Sequence, residues 1–134
     1  MNVFVTGGLG FLGSHVVRRL VVDGHTVKLY DRNWFFAQQG NHSCVGGDIL
    51  DTYALTTAME QAKPDLVIHL AALADVRNAL KQPTDQVQLN FVATANVLEA
   101  MRAANVPHIV FTSSAVVYGM QTGIVTETSA LGPQ

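Results

Sequence analysis

Cysteine is nearly missing: Cys44 is the single one among 134 residues. A lone thiol cannot close an internal disulfide, so a disulfide scaffold is excluded and a reducing cytoplasm is the expected setting. Long apolar runs are missing too, and none reaches the roughly 18 residues of a membrane span. No basic cluster occurs; 8 lysines and arginines stand against 10 acidic residues, for a formal net charge of -2. Nucleic acid and membrane are therefore not expected partners. The start of the chain, Met1-Asn2-Val3-Phe4-Val5-Thr6, lacks the basic stretch of a secretory signal and runs straight into a strand pattern. The five histidines (15, 25, 42, 69 and 108) show no paired ligand spacing, so no metal site is expected.

What is present suits a compact globule. Hydrophobic residues make up 49% and charged ones only 13%, enough apolar material for a core and too little charge for a disordered chain. The length suits one domain, 1–134.

Short apolar runs alternate with segments of helical period. Val3-Phe4-Val5 is a buried strand ending at Thr6. From Phe11 to about Val22, Leu12, Val16 and Leu20, with Val17 and Val21, recur at helical spacing, and Gly24 stops the helix. Thr26 to Tyr30 is a β-branched second strand ending at Asp31; Asn33 to Asn41 reads as loop. Cys44-Val45 marks a short third strand. Asp51 is placed to cap a helix reaching about Gln61, with Leu55, Ala58 and Met59 inward. Leu66 to Leu70 is a continuous apolar strand, as expected where helices cover both faces of a sheet. Ala71 to Leu80 reads as a small-residue loop with a short helical turn. After Pro83 a long helix is predicted to about Ala104, with Val87, Phe91, Ala95, Leu98 and Met101 on one face. Ile109 to Thr112 is a fifth strand, and residues 119 to 134 read as loop. Strand–helix alternation with right-handed crossovers gives a parallel sheet. The expected fold is α/β, a Rossmann-type doubly wound sheet in the order 3-2-1-4-5, with ligands at the carboxyl ends of strands 1 and 4.

The first strand feeds Gly7, Gly8, Gly10 and Gly13 and then a helix, the context in which a glycine pattern is informative. The early glycines permit a tight turn, Gly10 lets a pyrophosphate approach the backbone, and Gly13 lets helix pack close on strand. The helix N-terminus offers free N–H groups to phosphates. Asp31, ending the second strand, stands where an acid accepts hydrogen bonds from an adenosine ribose. Its charge repels a 2′-phosphate, which favours NAD over NADP. Arg32 pulls the other way, because a guanidinium attracts that phosphate. Read alone, Asp31 and Asp48 are also ordinary turn residues, and His69 reads as a satisfied core histidine.

Together these residues resemble the extended short-chain dehydrogenase/reductase superfamily, in its NAD-dependent nucleotide-sugar epimerase/dehydratase branch, over essentially the whole chain. Thr6 to His15 is similar to that family's opening motif, which implies that Gly7, Gly10, Phe11, Leu12 and Gly13 bind the cofactor. Gly47-Asp48-Ile49 resembles the segment that holds adenine, with Asp48 accepting from the exocyclic amine and Ile49 packing on the ring. His69-Leu70-Ala71-Ala72 resembles the segment beside the cofactor, which implies contacts from Leu70, Ala71 and Ala72. Asn90 resembles the family's Asn on the nicotinamide side, and Asp75-Val76-Arg77 resembles UDP-glucose 4-epimerase-like members. Ser113-Ser114-Ala115-Val116-Val117-Tyr118-Gly119 resembles the motif after strand 5, which implies Ser113 at the cofactor and Ser114 as catalytic serine.

The resemblance also implies a Tyr-x-x-x-Lys pair for proton transfer. Four residues beyond Tyr30, Tyr53 and Tyr118 stand Trp34, Thr57 and Thr122, so the pair is absent. The expectation is therefore the N-terminal part of such an enzyme, stopping before the later strands, the catalytic helix and the sugar-binding part. A nucleotide sugar is the implied substrate of the full-length relative. A non-catalytic NAD(H)-binding module and a folded remnant stay open as alternatives. Apolar surface is expected near strand 5, hidden by self-association.

Overall fold

The computed structural model describes residues 1–33, 42–74 and 81–133. Trp34, most of the expected loop from Asn33 to Asn41, and Asp75-Val76-Arg77 lie outside the described residues. Five strands, β1 (Asn2–Thr6), β2 (Thr26–Asp31), β3 (Ser43–Gly46), β4 (Leu66–His69) and β5 (Ile109–Phe111), form one sheet. Their order is β3-β2-β1-β4-β5 and every pairing is parallel, the expected doubly wound topology.

The strands read as unbroken apolar runs because alternate side chains enter two different cores. Val3, Val5, Val27, Leu29 and Ile68 face α1 (Phe11–Val22), which contributes Val17. Phe4, Tyr30 and Val67 face α2 (Thr52–Ala62) and the helix beyond residue 92. Phe4, Leu29 and Leu55 are wholly buried, each worth about 1.5–3 kcal/mol of apolar transfer. Asp51 caps α2, its carboxylate accepting from the Ala54 N–H at 3.0 Å. Lys63, in the left-handed region, ends it before Pro64. Gly24, at φ +81°, closes α1.

Two expected faces need correction. Leu12 stands outside the core, 51% exposed, because α1 turns Gly13 and Val17 onto the sheet. The long helix is three pieces: α3 (Pro83–Gln86), a π-helical segment (Val87–Val92) and α4 (Ala93–Ala103). The wider π turn rotates α4 relative to a continuous helix. The buried stripe is Ala93, Val97, Ala100 and Met101, while Val87, Phe91, Ala95 and Leu98 are exposed. Small Ala93 and Ala100 let α4 lie close on the sheet and on α2. Beyond β5 a single 3₁₀ turn (Ala115–Tyr118) precedes loop structure. Val110 and Phe111 of β5 are about half exposed, so apolar surface does lie at this edge.

No helix among the described residues is long and apolar enough to cross a membrane. No three His, Cys, Asp or Glu side chains among them gather as a metal site would require.

Candidate functional site

Strand order reverses between β1 and β4, and a crevice opens at their carboxyl ends. It has two hollows that share Ala71 and Ala72 as a common wall. The first, about 210 Å³, lies among Gly7, Gly10, Asp31, Arg32 and Ile49. The second, about 420 Å³, lies among Asn90, Phe111, Ser113 and Ser114.

The glycine turn forms one lip of the first hollow. Gly7 has φ +68°, and a Cβ there would stand 2.6 Å from the Ala71 nitrogen, so the turn lies directly against the segment after β4. The Gly10 N–H donates to the Gly7 carbonyl at 3.1 Å. The Leu9 N–H donates to the Asp31 carboxylate at 3.1 Å, so the end of β2 grips the turn. The other Asp31 oxygen accepts from the Asn33 N–H at 3.0 Å.

Gly10 is the N-cap of α1 and has no side chain to cap with. The first bond back to it comes from the Ser14 N–H at 2.9 Å. The N–H groups of Phe11, Leu12 and Gly13 therefore precede the helical ladder, and with the helix dipole they make an anion-binding position. The side chains of Phe11 and Leu12 turn to solvent. Gly13 is buried, and a Cβ there would press on Gly8 Cα at 2.7 Å. What these three residues present at the helix start is backbone, not side chains. Gly10 lines the first hollow, and a Cβ on it would stand 3.3 Å from the Gly7 carbonyl oxygen, a tight contact.

On the far wall, Ile49 is buried and lines the first hollow, while Asp48 stands beside it with one oxygen accepting from the Leu50 N–H at 2.9 Å. Leu70, Ala71 and Ala72 run along the crevice floor. Asn90, inside the π-helical segment, clamps the next residue. Its Oδ1 accepts from the Leu73 N–H at 2.7 Å, and its Nδ2 donates to the Leu73 carbonyl at 3.0 Å and to Gln86 Oε1 at 2.6 Å. Ser113 and Ser114 border the second hollow, and the Ser114 hydroxyl oxygen accepts from the Val116 N–H at 3.2 Å, capping the 3₁₀ turn. His69 is the satisfied core histidine expected: buried, hydrogen-bonded at both ring nitrogens, and stacked on Phe111 at 5.6 Å. Burial pushes its pKa down to about 4.

Sequence reasoning missed two residues behind the far wall. The Tyr30 hydroxyl donates to the Asp48 carbonyl at 3.2 Å, and Asn96 Nδ2 donates to the Ile49 carbonyl at 3.1 Å. Tyr30 reads as one more apolar strand residue and Asn96 as a surface group on a helix, and their partners are distant in the sequence.

A glycine turn, an uncapped helix and an acid at the end of β2, all at one switch point, define a nucleotide-binding α/β protein. The profile of the NAD dependent epimerase/dehydratase family matches residues 3–134, and the chain belongs to that family. The chain is 36% identical to a UDP-glucose 4-epimerase of Lactobacillus helveticus over 141 residues, which covers 99% of the chain and 42% of the relative. It is 35% identical to the UDP-glucose 4-epimerase of Mus musculus over 135 residues, 88% of the chain and 39% of that protein. Among solved structures it resembles the UDP-glucose-4-epimerase of Stenotrophomonas maltophila with bound NAD and formylated UDP-arabinopyranose. There the TM-score is 0.86 at 34% identity, over 98% of this chain and 43% of that one. The Brucella ovis UDP-glucose 4-epimerase in complex with NAD gives a TM-score of 0.84 at 33% identity, over 99% and 42%. The chain thus spans about two fifths of the length of these relatives.

Proposed function

We propose that residues 1–134 form one NAD-binding unit, the cofactor-holding portion of a nucleotide-sugar epimerase or dehydratase. The observation that carries this reading is the uncapped start of α1 at the edge of the crevice, with Gly10 lining the first hollow and the Asp31 carboxylate across the turn. The fit is chemical as well as spatial: free N–H groups suit a pyrophosphate, and a carboxylate suits ribose hydroxyls. The bound NAD of the Brucella ovis and Stenotrophomonas maltophila relatives supports the same choice.

In this reading Gly7, Gly10, Phe11, Leu12 and Gly13 hold the pyrophosphate through backbone. Asp31, with Arg32 beside it, holds the adenosine ribose and disfavours NADP. Asp48 and Ile49 take the adenine. Leu70, Ala71 and Ala72 let the cofactor lie against backbone, and Asn90 and Ser113 border its nicotinamide end. Bound NAD supplies a reversible hydride acceptor. Ser114 is the catalytic serine, its hydroxyl hydrogen-bonding the sugar oxygen at the carbon that is oxidised. The Val116 N–H occupies a lone pair of that hydroxyl, which leaves its proton to donate. The half-exposed Val110 and Phe111 support self-association at the β5 edge, and the lone Cys44 suits a cytoplasmic setting.

Isothermal titration of the chain with NAD, NADH and NADP tests the reading. One NAD per chain is expected, with NADP at least about tenfold weaker, the effect of some 1.4 kcal/mol of charge repulsion. No heat at millimolar NAD overturns it.

A further inference from the structure

The turn Gly47-Asp48-Ile49 is tied to the body of the protein from two sides. From β2, the Tyr30 hydroxyl reaches the Asp48 carbonyl at 3.2 Å; from α4, Asn96 reaches the Ile49 carbonyl at 3.1 Å. These carbonyls belong to the two peptide planes that flank the Ile49 Cα. Fixing both planes fixes the backbone angles of Ile49, and so the direction of its side chain. Tyr30 is itself immobilised: it is buried and stacked on Phe4 with ring centroids 5.9 Å apart. Its ring lies so close under the turn that a Cβ on Gly47 would collide with it. Burial, with Asp51 and Asp48 nearby, pushes the phenol up to about 12, so it stays a donor at neutral pH. Asp48 is also held locally. Its Oδ1 accepts from the Leu50 N–H and its carbonyl accepts from the Asp51 N–H at 3.0 Å, while Oδ2 has no partner among the described residues.

We propose that Tyr30 and Asn96 are positioning residues for adenine recognition: they hold the turn so that the open carboxylate oxygen of Asp48 meets the exocyclic amine and Ile49 meets the ring face. The inference rests on the NAD reading above. Neither residue touches the ligand in this arrangement; each acts through a backbone carbonyl. Selectivity for an amino group results, because a carboxylate accepts from an amine and repels a ring carbonyl.

The test is calorimetric and NMR titration of the unaltered chain, Tyr30→Phe and Asn96→Ala with NAD, AMP, nicotinamide mononucleotide and nicotinamide hypoxanthine dinucleotide. Each substitution removes one hydrogen bond and should weaken NAD and AMP about fivefold. Nicotinamide mononucleotide should bind as before, and the preference for NAD over its hypoxanthine analogue should narrow. A residue that merely stabilises the fold would lower the melting temperature without this ligand selectivity. Asn96 is on a half-buried helical position, so its variant decides the matter even if Tyr30→Phe folds poorly. Unchanged NAD affinity, or an equal loss for nicotinamide mononucleotide, overturns the inference and leaves the NAD reading standing. An unaltered chain that binds no NAD overturns both.

Discussion

Thr6 Oγ1 lies 2.6 Å from Nδ1 of His69, its register partner on the neighbouring strand. Across the ring, Nε2 lies 3.0 Å from Thr94 Oγ1, which lies 2.8 Å from the Asn90 carbonyl. A carbonyl only accepts, so Thr94 gives its proton to Asn90 and His69 donates through Nε2. Nδ1 then accepts from Thr6, whose oxygen takes the Ala71 N–H at 3.4 Å. This one-way chain fixes the Nε2–H tautomer and links the crevice floor to the π-helical segment that holds Leu73.

That chain needs a neutral imidazole, and burial lowers the His69 pKa from 6.5 to about 4. The unfolded chain binds this proton below pH 6.5, the folded chain only near pH 4. The contribution to stability is therefore complete above the unfolded value and falls as pH drops through the folded one, by about 3 kcal/mol in all. Urea unfolding across this range should show the loss. Imidazole NMR should show the Nε2–H tautomer with no titration above about pH 5. A His69 midpoint near its unfolded value would sink the assignment.

The fold was largely legible because its signals are local. Strand runs, the glycine spacing and Asp51 before a helix each act within a few residues, and all describe elements that the structure has. The face of the long helix was not legible. Its sequence is apolar on more than one side, and the π turn that selects Ala93 and Val97 over Phe91 and Leu98 goes with Asn90 reaching across to Leu73. The crevice behaved the same way. The glycines and Asp31 stand at element ends, where sequence is informative. Tyr30 and Asn96 become noticeable only once folding brings β2 and α4 behind one turn.

Two glycines of the same turn should fail differently. Gly13→Ala forces a methyl into the Gly7 carbonyl and Gly8 Cα, so α1 must move off the sheet. A loss of about 1–3 kcal/mol is expected in urea unfolding. Gly10→Ala keeps an extended backbone and puts its methyl 3.3 Å from the Gly7 carbonyl oxygen, a contact relieved by a shift of a few tenths of an ångström, and should cost about 1 kcal/mol, the poorer N-cap included. Its NAD affinity should nonetheless fall more than about tenfold, because the methyl stands where the phosphates approach. Equal NAD binding by Gly10→Ala and the unaltered chain would remove the pyrophosphate from this turn.

Asp31→Asn tests the charge. The carboxylate accepts from Leu9 and Asn33 through separate oxygens, and an amide has only one, so one N–H loses its partner. About 1 kcal/mol of stability is at stake. The preference for NAD over NADP should shrink, since the repulsion is gone while Arg32 stays at the crevice. Competition titration reads the ratio directly. An unchanged ratio would place the selectivity elsewhere.

Asp51→Ala separates the cap of α2 from the turn before it. The Asp51 carboxylate accepts from the Ala54 N–H at 3.0 Å, and α2 brings Leu55 and Met59 into the core. Removing the cap should cost about 1 kcal/mol, and Asp51→Ser should restore most of it, because serine caps as well as aspartate. For a domain of this size the melting temperature should fall by roughly 2–6 °C. NAD affinity should hardly change, because the Asp48 and Ile49 carbonyls keep their bonds to Tyr30 and Asn96. A matching loss of stability and of NAD affinity would mean that the cap, and not those two side chains, holds the adenine turn in place.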